Sequence, residues 1–223
     1  MKQAGWRLVV KKSIDRAVAA AALVVTAPIM AGAAVAVRAS MGSPVLFRQT
    51  RPGRYGEPLG FLKFRTMREA NGPDGRPLPD AERMTGVGRF LRNTSIDELP
   101  QLVNVLRGEL SLVGPRPLLM SYLSRYTPDE MRRHDVMPGI TGLAAISGRN
   151  HLSWEDRFRF DLEYVDNWSL ALDAKILFLT AFKVLTREGA SGDVVTTELR
   201  PASERFPTNG AGHTNGHAKV SLA

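Results

Sequence analysis

Residues 92–117 read RNTSIDELPQLVNVLRGELSLVGPRP and place two adjacent carboxylates, Asp97 and Glu98, at the start of a predicted helix. Ser95 has the position of an N-cap, because Glu98 then occupies the third helical position of a capping box. Gly108 marks the expected end of the helix. Asp97 would lie in the first turn, where free backbone N–H groups and the helix dipole favour anions, including phosphate. The apolar residues that follow at helical intervals are Leu99, Leu102, Val103 and Leu106.

Two interpretations of this stretch compete. The S-x-x-E pattern is a common helix cap, so Ser95 and Glu98 by themselves indicate only where a helix begins. Arg116, however, stands between two prolines that restrict the backbone around it, and a guanidinium suits bidentate phosphate binding. Arg92 lies just ahead of the carboxylates. Two arginines that flank two carboxylates favour a site for a polyanion, with or without a metal ion.

The composition limits the classes of function and of metal site. The chain has 223 residues, enough for one domain with a core, and a net charge of +8. Such an excess indicates nucleic acid, an anionic membrane surface or a phosphorylated substrate as the partner. The chain has no cysteine, which excludes disulfides, iron–sulfur clusters and thiolate zinc sites. A hard cation held by carboxylates is compatible with this composition.

Residues 17–37, AVAAAALVVTAPIMAGAAVAV, carry no charge and have about the length that crosses a bilayer core. A cleaved signal peptide is disfavoured by the long basic region before the segment and by the lack of a cleavage site. Two readings stay open: a spanning helix, and a re-entrant helix that enters and leaves by the same face. Two features favour the re-entrant reading: Pro28 removes a backbone hydrogen bond in mid-segment, and the basic residues on both flanks favour a cytoplasmic position for both ends.

A small hairpin of residues 45–50 with 60–66 is predicted from alternating apolar and basic residues. Lys63 and Arg65 would share one of its faces, either as solvated cations or as a pair that contacts phosphate. The glycines and prolines of residues 69–86 predict a loop.

Helix-start patterns recur in the second half of the chain. Thr127 begins one, Ser153 begins a helix that runs to about residue 167, and residues 168–186 form another helix. This last helix is either a core helix or an amphipathic helix in the membrane interface. A tight turn is predicted at residues 138–142, and the polar composition of residues 199–223 predicts a disordered tail.

Several long motifs, in this order and spacing, resemble the bacterial sugar transferase family, the monotopic phosphoglycosyl transferases. They are KFRTM at 63–67, SIDELPQLVNVLRGELSLVGPRP at 95–117, MPGITG at 137–142 and SGRN at 147–150. The resemblance covers roughly residues 10–198 and is strongest to the small members that consist of the catalytic core alone.

This resemblance implies a helix-rich α+β fold with a re-entrant membrane helix, a small β-hairpin, a catalytic helix and interfacial amphipathic helices. Residues 1–40 would form the basic segment and re-entrant helix, and residues 41–198 the catalytic domain at the cytoplasmic face of the inner membrane. The tail of residues 199–223 has no implied role. A homodimer is among the assemblies that the resemblance allows.

The implied reaction moves a sugar 1-phosphate from a UDP-sugar to polyprenyl (undecaprenyl) phosphate, with Mg²⁺, and releases UMP. Asp97 would be the nucleophile that carries the phosphosugar, and also the metal ligand, while Glu98 would act as a base or orienting group. The product would initiate an exopolysaccharide, O-antigen or glycoprotein glycan. The expected phosphate-binding residues are Lys63, Arg65, Arg92, Arg116 and Arg149.

One departure from the family concerns the membrane helix. Members often have Ser-Pro at the helix break, where this chain has Ala27-Pro28. A serine hydroxyl can satisfy a freed carbonyl and alanine cannot, so Thr26 would have to replace it. Two other functions compete with the transferase: a membrane-anchored scaffold, which the intact Asp97 and Glu98 argue against, and nucleic-acid binding, which lacks interleaved aromatic residues and a known module.

Overall fold

Helices dominate the protein, and two small two-stranded sheets lie between them. The computed structural model describes residues 3–148, 152–186 and 198–205. The predicted helix-rich α+β fold is confirmed. The elements in chain order are α1 (Gly5–Met41), β1 (Leu46–Pro52), β2 (Pro58–Phe64), α2 (Asp80–Arg83), α3 (Gly86–Asn93), α4 (Gln101–Arg107), β3 (Ser111–Val113), α5 (Pro128–Met131), β4 (Gly139–Thr141), α6 (Leu143–Ser147), α7 (Trp154–Asn167), α8 (Leu170–Leu185) and α9 (Ala202–Arg205). Short 3₁₀ helices occupy Arg54–Gly56, Ile96–Glu98, Met120–Arg125 and Arg132–His134.

Helix α1 contacts the rest of the protein near both of its ends. Lys11, Asp15 and Ala19 are buried near its start, and Ala33 and Val37 are buried near its end. Steps of four residues put each group on one helix face. Among the described residues, α1 is the helix long and apolar enough to cross a bilayer. Its exposed apolar residues are Val9, Ile14, Val18, Val24, Val25, Ile29 and Val35.

The buried charges of α1 are paired. The Lys11 Nζ atom lies 2.6 Å from the carboxylate of Asp173 in α8, which also accepts a hydrogen bond from Tyr164 at 2.7 Å. Ser111 of β3 donates to Asp15 at 2.7 Å. Because an unpaired buried charge is strongly destabilising, these contacts fix the start of α1 against α8 and β3.

Pro28 lies inside α1, which is helical on both sides of it. Proline has no N–H to donate to the carbonyl four residues earlier, which here belongs to Val24. The Thr26 hydroxyl donates to the Ala22 carbonyl at 2.7 Å instead. The expected compensation by Thr26 is therefore wrong, because a threonine in a helix reaches the carbonyl four residues before itself.

The predicted hairpin is confirmed as β1 and β2, which pair antiparallel with Gln49 opposite Phe61 and Arg51 opposite Leu59. Directly opposite residues share a face of a sheet, and alternate residues along a strand share it too. One face of the hairpin therefore carries Gln49, Arg51, Phe61 and Lys63.

The tight turn predicted at residues 138–142 is wrong, because β4 lies there and pairs in parallel with β3, with Ser111 opposite Gly139. The two backbones approach closely. A Cβ atom added to Gly114 would lie 2.1 Å from the carbonyl oxygen of Met137, so only glycine fits. The glycines that indicated a turn serve this close approach instead.

The two C-terminal helices are confirmed as α7 and α8. The Ser153 side chain caps α7 by accepting a hydrogen bond from the Asp156 N–H. Ile176 of α8 is fully buried, whereas Phe178 is 73% exposed. Helix α8 therefore has both a core face and an exposed apolar face; the core reading is confirmed, and the reading as a helix in the membrane interface stays a prediction.

Three other local predictions are settled by the structure. The helix start at Thr127 is confirmed by a capping box with Glu130, although α5 has only one turn. The loop predicted at residues 69–86 contains the short helix α2. The tail predicted from residue 199 is wrong for residues 199–205, because Leu199 is fully buried and Arg205 pairs with Glu130 at 2.6 Å. Residues 206–223 lie outside the described residues.

Candidate active site

The capping box predicted at Ser95 is absent. Ser95 is left-handed with φ 57°, its side chain makes no capping hydrogen bond, and Ile96–Glu98 form a 3₁₀ turn. The α-helix begins after Pro100 and ends at Gly108, as expected for that glycine. The physical reason is that the Glu98 carboxylate bonds to cations elsewhere in the fold. The Asp97–Glu98 pair therefore lies on a separate turn ahead of α4.

Glu98 is held by two cations. The two Nη atoms of Arg116 each donate to one carboxylate oxygen of Glu98, and Lys63 Nζ lies 3.3 Å from the same carboxylate. Burial acts to raise the pKa of Glu98, but the charges of Arg116 and Lys63 outweigh it and lower the pKa to about 2. Glu98 is therefore ionised at neutral pH, and both of its oxygens are occupied.

Asp97 is in a different environment. It is only 6% exposed, and no described residue donates a hydrogen bond to its carboxylate. Burial and the neighbouring charge of Glu98 raise its pKa to about 6, although Lys63, Arg92 and Arg116 partly offset the rise. Asp97 is therefore ionised at neutral pH. Its carboxylate accepts no hydrogen bond from a described residue and lies near the cations Lys63, Arg92 and Arg116.

Contacts to both the backbone and the guanidinium hold Arg116 in place. Its backbone is restricted by the prolines on both sides, and its Nη1 also donates to the Ile140 carbonyl at 3.0 Å. Its own carbonyl accepts a hydrogen bond from Arg133 Nη2 at 2.8 Å, and Arg133 is paired in turn with buried Asp161 at 2.6 Å. Arg133 and Asp161 were missed as part of the site, because they are 28 residues apart and belong to no local motif.

Lys63 and Arg92 reach the site from two other elements. Lys63 is the penultimate residue of β2, and burial and the charge of Arg116 lower its pKa. Its Nζ lies 5.5 Å from the ring centre of Phe61. Arg92 is exposed at the end of α3, and its Nε donates to the Thr66 hydroxyl at 3.1 Å. Five of the predicted site residues therefore come together: Lys63, Arg92, Asp97, Glu98 and Arg116.

Arg65 lies outside this group. Its guanidinium donates to backbone carbonyls of the connection between α1 and β1 and of the segment after β2, at 3.0–3.3 Å: Met41, Ser43, Pro44 and Met67. The prediction of a shared Lys63–Arg65 phosphate site is corrected by this geometry: β2 ends at Phe64, so Arg65 lies outside the strand and does not share its face with Lys63. Arg149 lies outside the described residues.

The residues fit a Mg²⁺ ion only in part. Within the described ranges, no group of three or more His, Asp or Glu side chains is placed to hold a metal. Glu98 has both oxygens bonded to cations, so Asp97 is the available carboxylate. Mg²⁺ is often bound by one or two carboxylates together with substrate phosphates and water. The site fits a metal that arrives with a phosphorylated substrate.

Comparison with known sequences identifies the family. The profile of a family described as "Bacterial sugar transferase" matches residues 6–187, most of the chain. The protein belongs to the bacterial sugar transferase family. The resemblance of the motifs is thus confirmed, and with it the prediction that the chain is a transferase.

Three relatives show what the chain is similar to. A Bacillus subtilis (strain 168) protein named "Uncharacterized sugar transferase EpsL" is 53% identical over 203 residues, which cover 91% of this chain and 98% of that one. The UDP-glucose:undecaprenyl-phosphate glucose-1-phosphate transferase of Escherichia coli (strain K12) is 41% identical, over 83% of this chain and 42% of its own length. The undecaprenyl-phosphate galactose phosphotransferase of Salmonella typhimurium is 45% identical, over 67% and 35%. The chain spans less than half of the last two.

Proposed function

We propose that this protein transfers a sugar 1-phosphate from a UDP-sugar to polyprenyl (undecaprenyl) phosphate and releases UMP. The observation that carries the proposal is the contrast between Asp97 and Glu98, because a buried carboxylate without hydrogen-bond donors, facing cations, suits a nucleophile that attacks a phosphate. The named relatives act on glucose and galactose donors and on undecaprenyl phosphate, which supports this substrate class.

In the first half of the proposed reaction, an oxygen of Asp97 attacks the sugar-bearing phosphorus of the donor. A bond forms between that oxygen and phosphorus, and the bridging P–O bond breaks, so that UMP leaves with the electron pair. Lys63, Arg92 and Arg116 supply the positive charge that stabilises the extra negative charge on the phosphate oxygens. Covalent catalysis of this kind divides one transfer into two easier steps.

In the second half, a phosphate oxygen of the polyprenyl phosphate attacks the same phosphorus. The bond to Asp97 breaks, the carboxylate is restored and a polyprenyl diphosphate sugar is released. That product is the lipid-linked start of an exopolysaccharide, O-antigen or glycoprotein glycan. Glu98 serves as an orienting group rather than a base, because its low pKa and its bonds to Arg116 and Lys63 leave it a poor proton acceptor.

Asp97 is the residue that would hold a Mg²⁺ ion brought by the donor, together with the donor's phosphates. A bound metal ion supplies charge neutralisation for the phosphate oxygens. The chain's own cations, Lys63 and Arg116, add positive charge next to the carboxylate pair.

The acceptor lipid requires a site at the level of the headgroups. Both ends of the uncharged segment in α1 pack on the rest of the protein, with buried Ala19 before Pro28 and buried Ala33 and Val37 after it. This arrangement supports a re-entrant α1 in one leaflet, with the catalytic residues at the cytoplasmic face of the inner membrane. A straight span would carry one of these ends to the other side.

Because the chain has no cysteine, single cysteines give a clean test of this topology. Ser13 and Ser40 are exposed and flank the uncharged segment. We expect Ser13→Cys and Ser40→Cys both to react with a membrane-impermeant thiol reagent only from the cytoplasmic side. Labelling of the two positions from opposite sides would establish a spanning helix.

The chemistry is tested by incubating the full chain with polyprenyl phosphate and a panel of UDP-sugars, with UMP release as the signal. We expect release with one or a few sugars, ping-pong kinetics, and label from a sugar- or ³²P-labelled donor on Asp97. Asp97→Asn should lose both signals, whereas Asp80→Asn, an exposed aspartate on α2, should keep both. Full turnover in Asp97→Asn would refute the nucleophile, and no release from any donor would refute the reaction.

A further inference from the structure

An arginine that no motif indicated lies on the active-site face of the hairpin. Arg51 in β1 shares a face with Phe61 and Lys63 in β2, by the register of the strands. Phe61 lies between the site cations, with its ring centre 5.5 Å from Lys63 Nζ and 6.0 Å from the guanidinium carbon of Arg116. The face therefore leads from the carboxylate pair past Phe61 to Arg51.

Arg51 has no carboxylate partner among the described residues. Its Nε and Nη2 both donate to the side-chain oxygen of Gln49, at 3.0 and 2.6 Å, and Gln49 is neutral. This contact orients one edge of the guanidinium and leaves the Nη1–Nη2 edge free, which is the edge that binds a phosphate with two parallel hydrogen bonds. A half-buried, oriented and uncompensated guanidinium is suited to an anionic ligand.

Arg65 and Arg116, two of the arginines expected to bind phosphate, have fewer donors left than Arg51. Arg65 uses four of its five N–H groups on backbone carbonyls. Arg116 uses three, two on Glu98 and one on the Ile140 carbonyl. Arg51 thus combines an orienting contact with a complete bidentate edge on the active-site face of the hairpin, which is the role that the sequence pattern suggested for Arg65.

The position of Arg51 relative to the nucleophile indicates which phosphate it would meet. By the strand register, Arg51 lies opposite Leu59, four residues along β2 from Lys63, and Phe61 lies between these two positions, next to Arg116. Arg51 is therefore displaced along the hairpin from the end that carries Lys63, the cation bonded to Glu98. A diphosphate with one phosphorus against Asp97 would extend its second phosphate toward Arg51.

We infer that Arg51, oriented by Gln49, binds the nucleotide-side phosphate of the donor, the group that leaves as UMP. The inference rests on the proposed function and adds to it a residue that holds the leaving group. It makes Arg51 a determinant of affinity for the nucleotide, independent of the sugar and of the lipid acceptor.

UMP is the probe, because it contains the phosphate concerned and requires no knowledge of the sugar. We expect Arg51→Gln in the full chain to raise the dissociation constant of UMP and the KM for the UDP-sugar by about 10- to 100-fold, the loss typical of a charge-assisted hydrogen-bond pair. The KM for polyprenyl phosphate should stay unchanged. Arg51→Lys should recover part of the affinity, since it keeps the charge and loses the fork.

Arg48→Gln is the matched control, because Arg48 is an exposed arginine on the opposite face of the same strand. It should bind UMP as the parent chain does. Gln49→Ala should weaken UMP binding less than Arg51→Gln, since it removes only the orienting contact, and it decides the matter if Arg51→Gln fails to fold.

Three results would overturn the inference while leaving the transferase reaction intact. They are unchanged UMP affinity in Arg51→Gln, or in Gln49→Ala where Arg51→Gln does not fold; an equal loss in Arg48→Gln; and a rise confined to the KM for polyprenyl phosphate, which would assign Arg51 to the acceptor. Absence of UMP release by the unmodified chain with every donor would instead refute the proposed function itself.

Discussion

Two buried groups of charges in this protein differ in how completely they are paired. Arg133 donates to one Asp161 oxygen from both Nε and Nη2, at 3.0 and 2.6 Å, and the two side chains are almost inaccessible to solvent. Asp97 is also buried, yet it accepts no hydrogen bond from the described part of the chain. The Arg133–Asp161 pair holds the backbone of Arg116 in place, whereas the Asp97 carboxylate is left free to react.

The difference shows how a fold separates support from reactivity. Pairing a buried charge offsets its desolvation cost and fixes geometry, which is what a residue behind the site requires. Leaving a buried carboxylate unpaired costs stability, but it keeps the lone pairs of that carboxylate free for a phosphorus atom. Glu98 lies between these cases, since it is partly exposed and paired with the cations that its neighbour also needs.

The same substitution at the two buried aspartates gives the largest expected effect at Asp161. Asp161→Asn leaves the buried Arg133 guanidinium without a counter-charge, so we expect the free energy of unfolding to fall by about 3–5 kcal/mol. Chemical denaturation in detergent measures the change. The double variant Asp161→Leu/Arg133→Met is the control and should recover much of the stability. A loss below about 1 kcal/mol would mean that the pair is dispensable for folding.

Asp97→Asn should change the free energy of unfolding in the opposite direction and stabilise the protein. The pKa of Asp97 is raised from 3.8 to about 6, so the folded protein holds an ionised carboxylate at neutral pH at a cost of up to about 3 kcal/mol. We expect the asparagine variant to be inactive and more stable than the parent at pH 7.5. The gain should shrink as the pH falls below 6 and be lost below the unfolded-state pKa of 3.8, where Asp97 is protonated in both states.

Thermal or chemical unfolding of the two chains at pH 7.5 and pH 4.5 tests this sign. Asp80→Asn serves as the reference, since Asp80 is exposed and its removal should leave stability nearly unchanged. A destabilised Asp97→Asn at pH 7.5 would show that Asp97 is paired after all, and the contrast with Asp161 would be lost.

The sequence motifs predicted which residues form the catalytic group, but they did not predict the local structure that holds these residues. Asp97, Glu98, Lys63 and Arg116 come together as expected, because the chemistry of paired carboxylates and cations is visible in the residues themselves. The local code failed at Ser95, where a long-range bond from Glu98 to Arg116 replaces the capping box. A tertiary contact therefore replaced the capping box that the local sequence favoured.

Other features could not be predicted because their partners are distant along the chain. The alternation of Lys63 and Arg65 continues a strand that in fact ends between them, so only one of the two reaches the site. The glycines around Gly139 indicated a turn, but these residues form a strand whose partner begins at Ser111. In the fold, the helices, the hairpin and their approximate limits were accessible from periodicity, whereas the β3–β4 pairing was not.

Glu98→Gln tests the intermediate case. The substitution keeps the shape of the side chain and removes the charge that holds Arg116 and Lys63. Because charge-assisted hydrogen bonds contribute about 1.5–3 kcal/mol, we expect kcat for UMP release to fall by roughly 10- to 100-fold with the fold intact. Glu109→Gln changes an exposed glutamate two residues beyond the end of α4 and should retain full activity. A loss as complete as that of Asp97→Asn would instead assign the chemical step to Glu98.

The pH dependence of the first half-reaction sharpens the comparison further. The nucleophile must be ionised, so the rate of a single UMP burst should fall about tenfold per pH unit below pH 6, the pKa of Asp97. Omitting polyprenyl phosphate keeps the titration of its own phosphate out of the measurement. The charge of Glu98 is one cause of the raised pKa, so in Glu98→Gln the acid limb should move to lower pH. An acid limb that stays in place would mean that burial alone sets the pKa of Asp97, and that the two neighbouring carboxylates titrate independently.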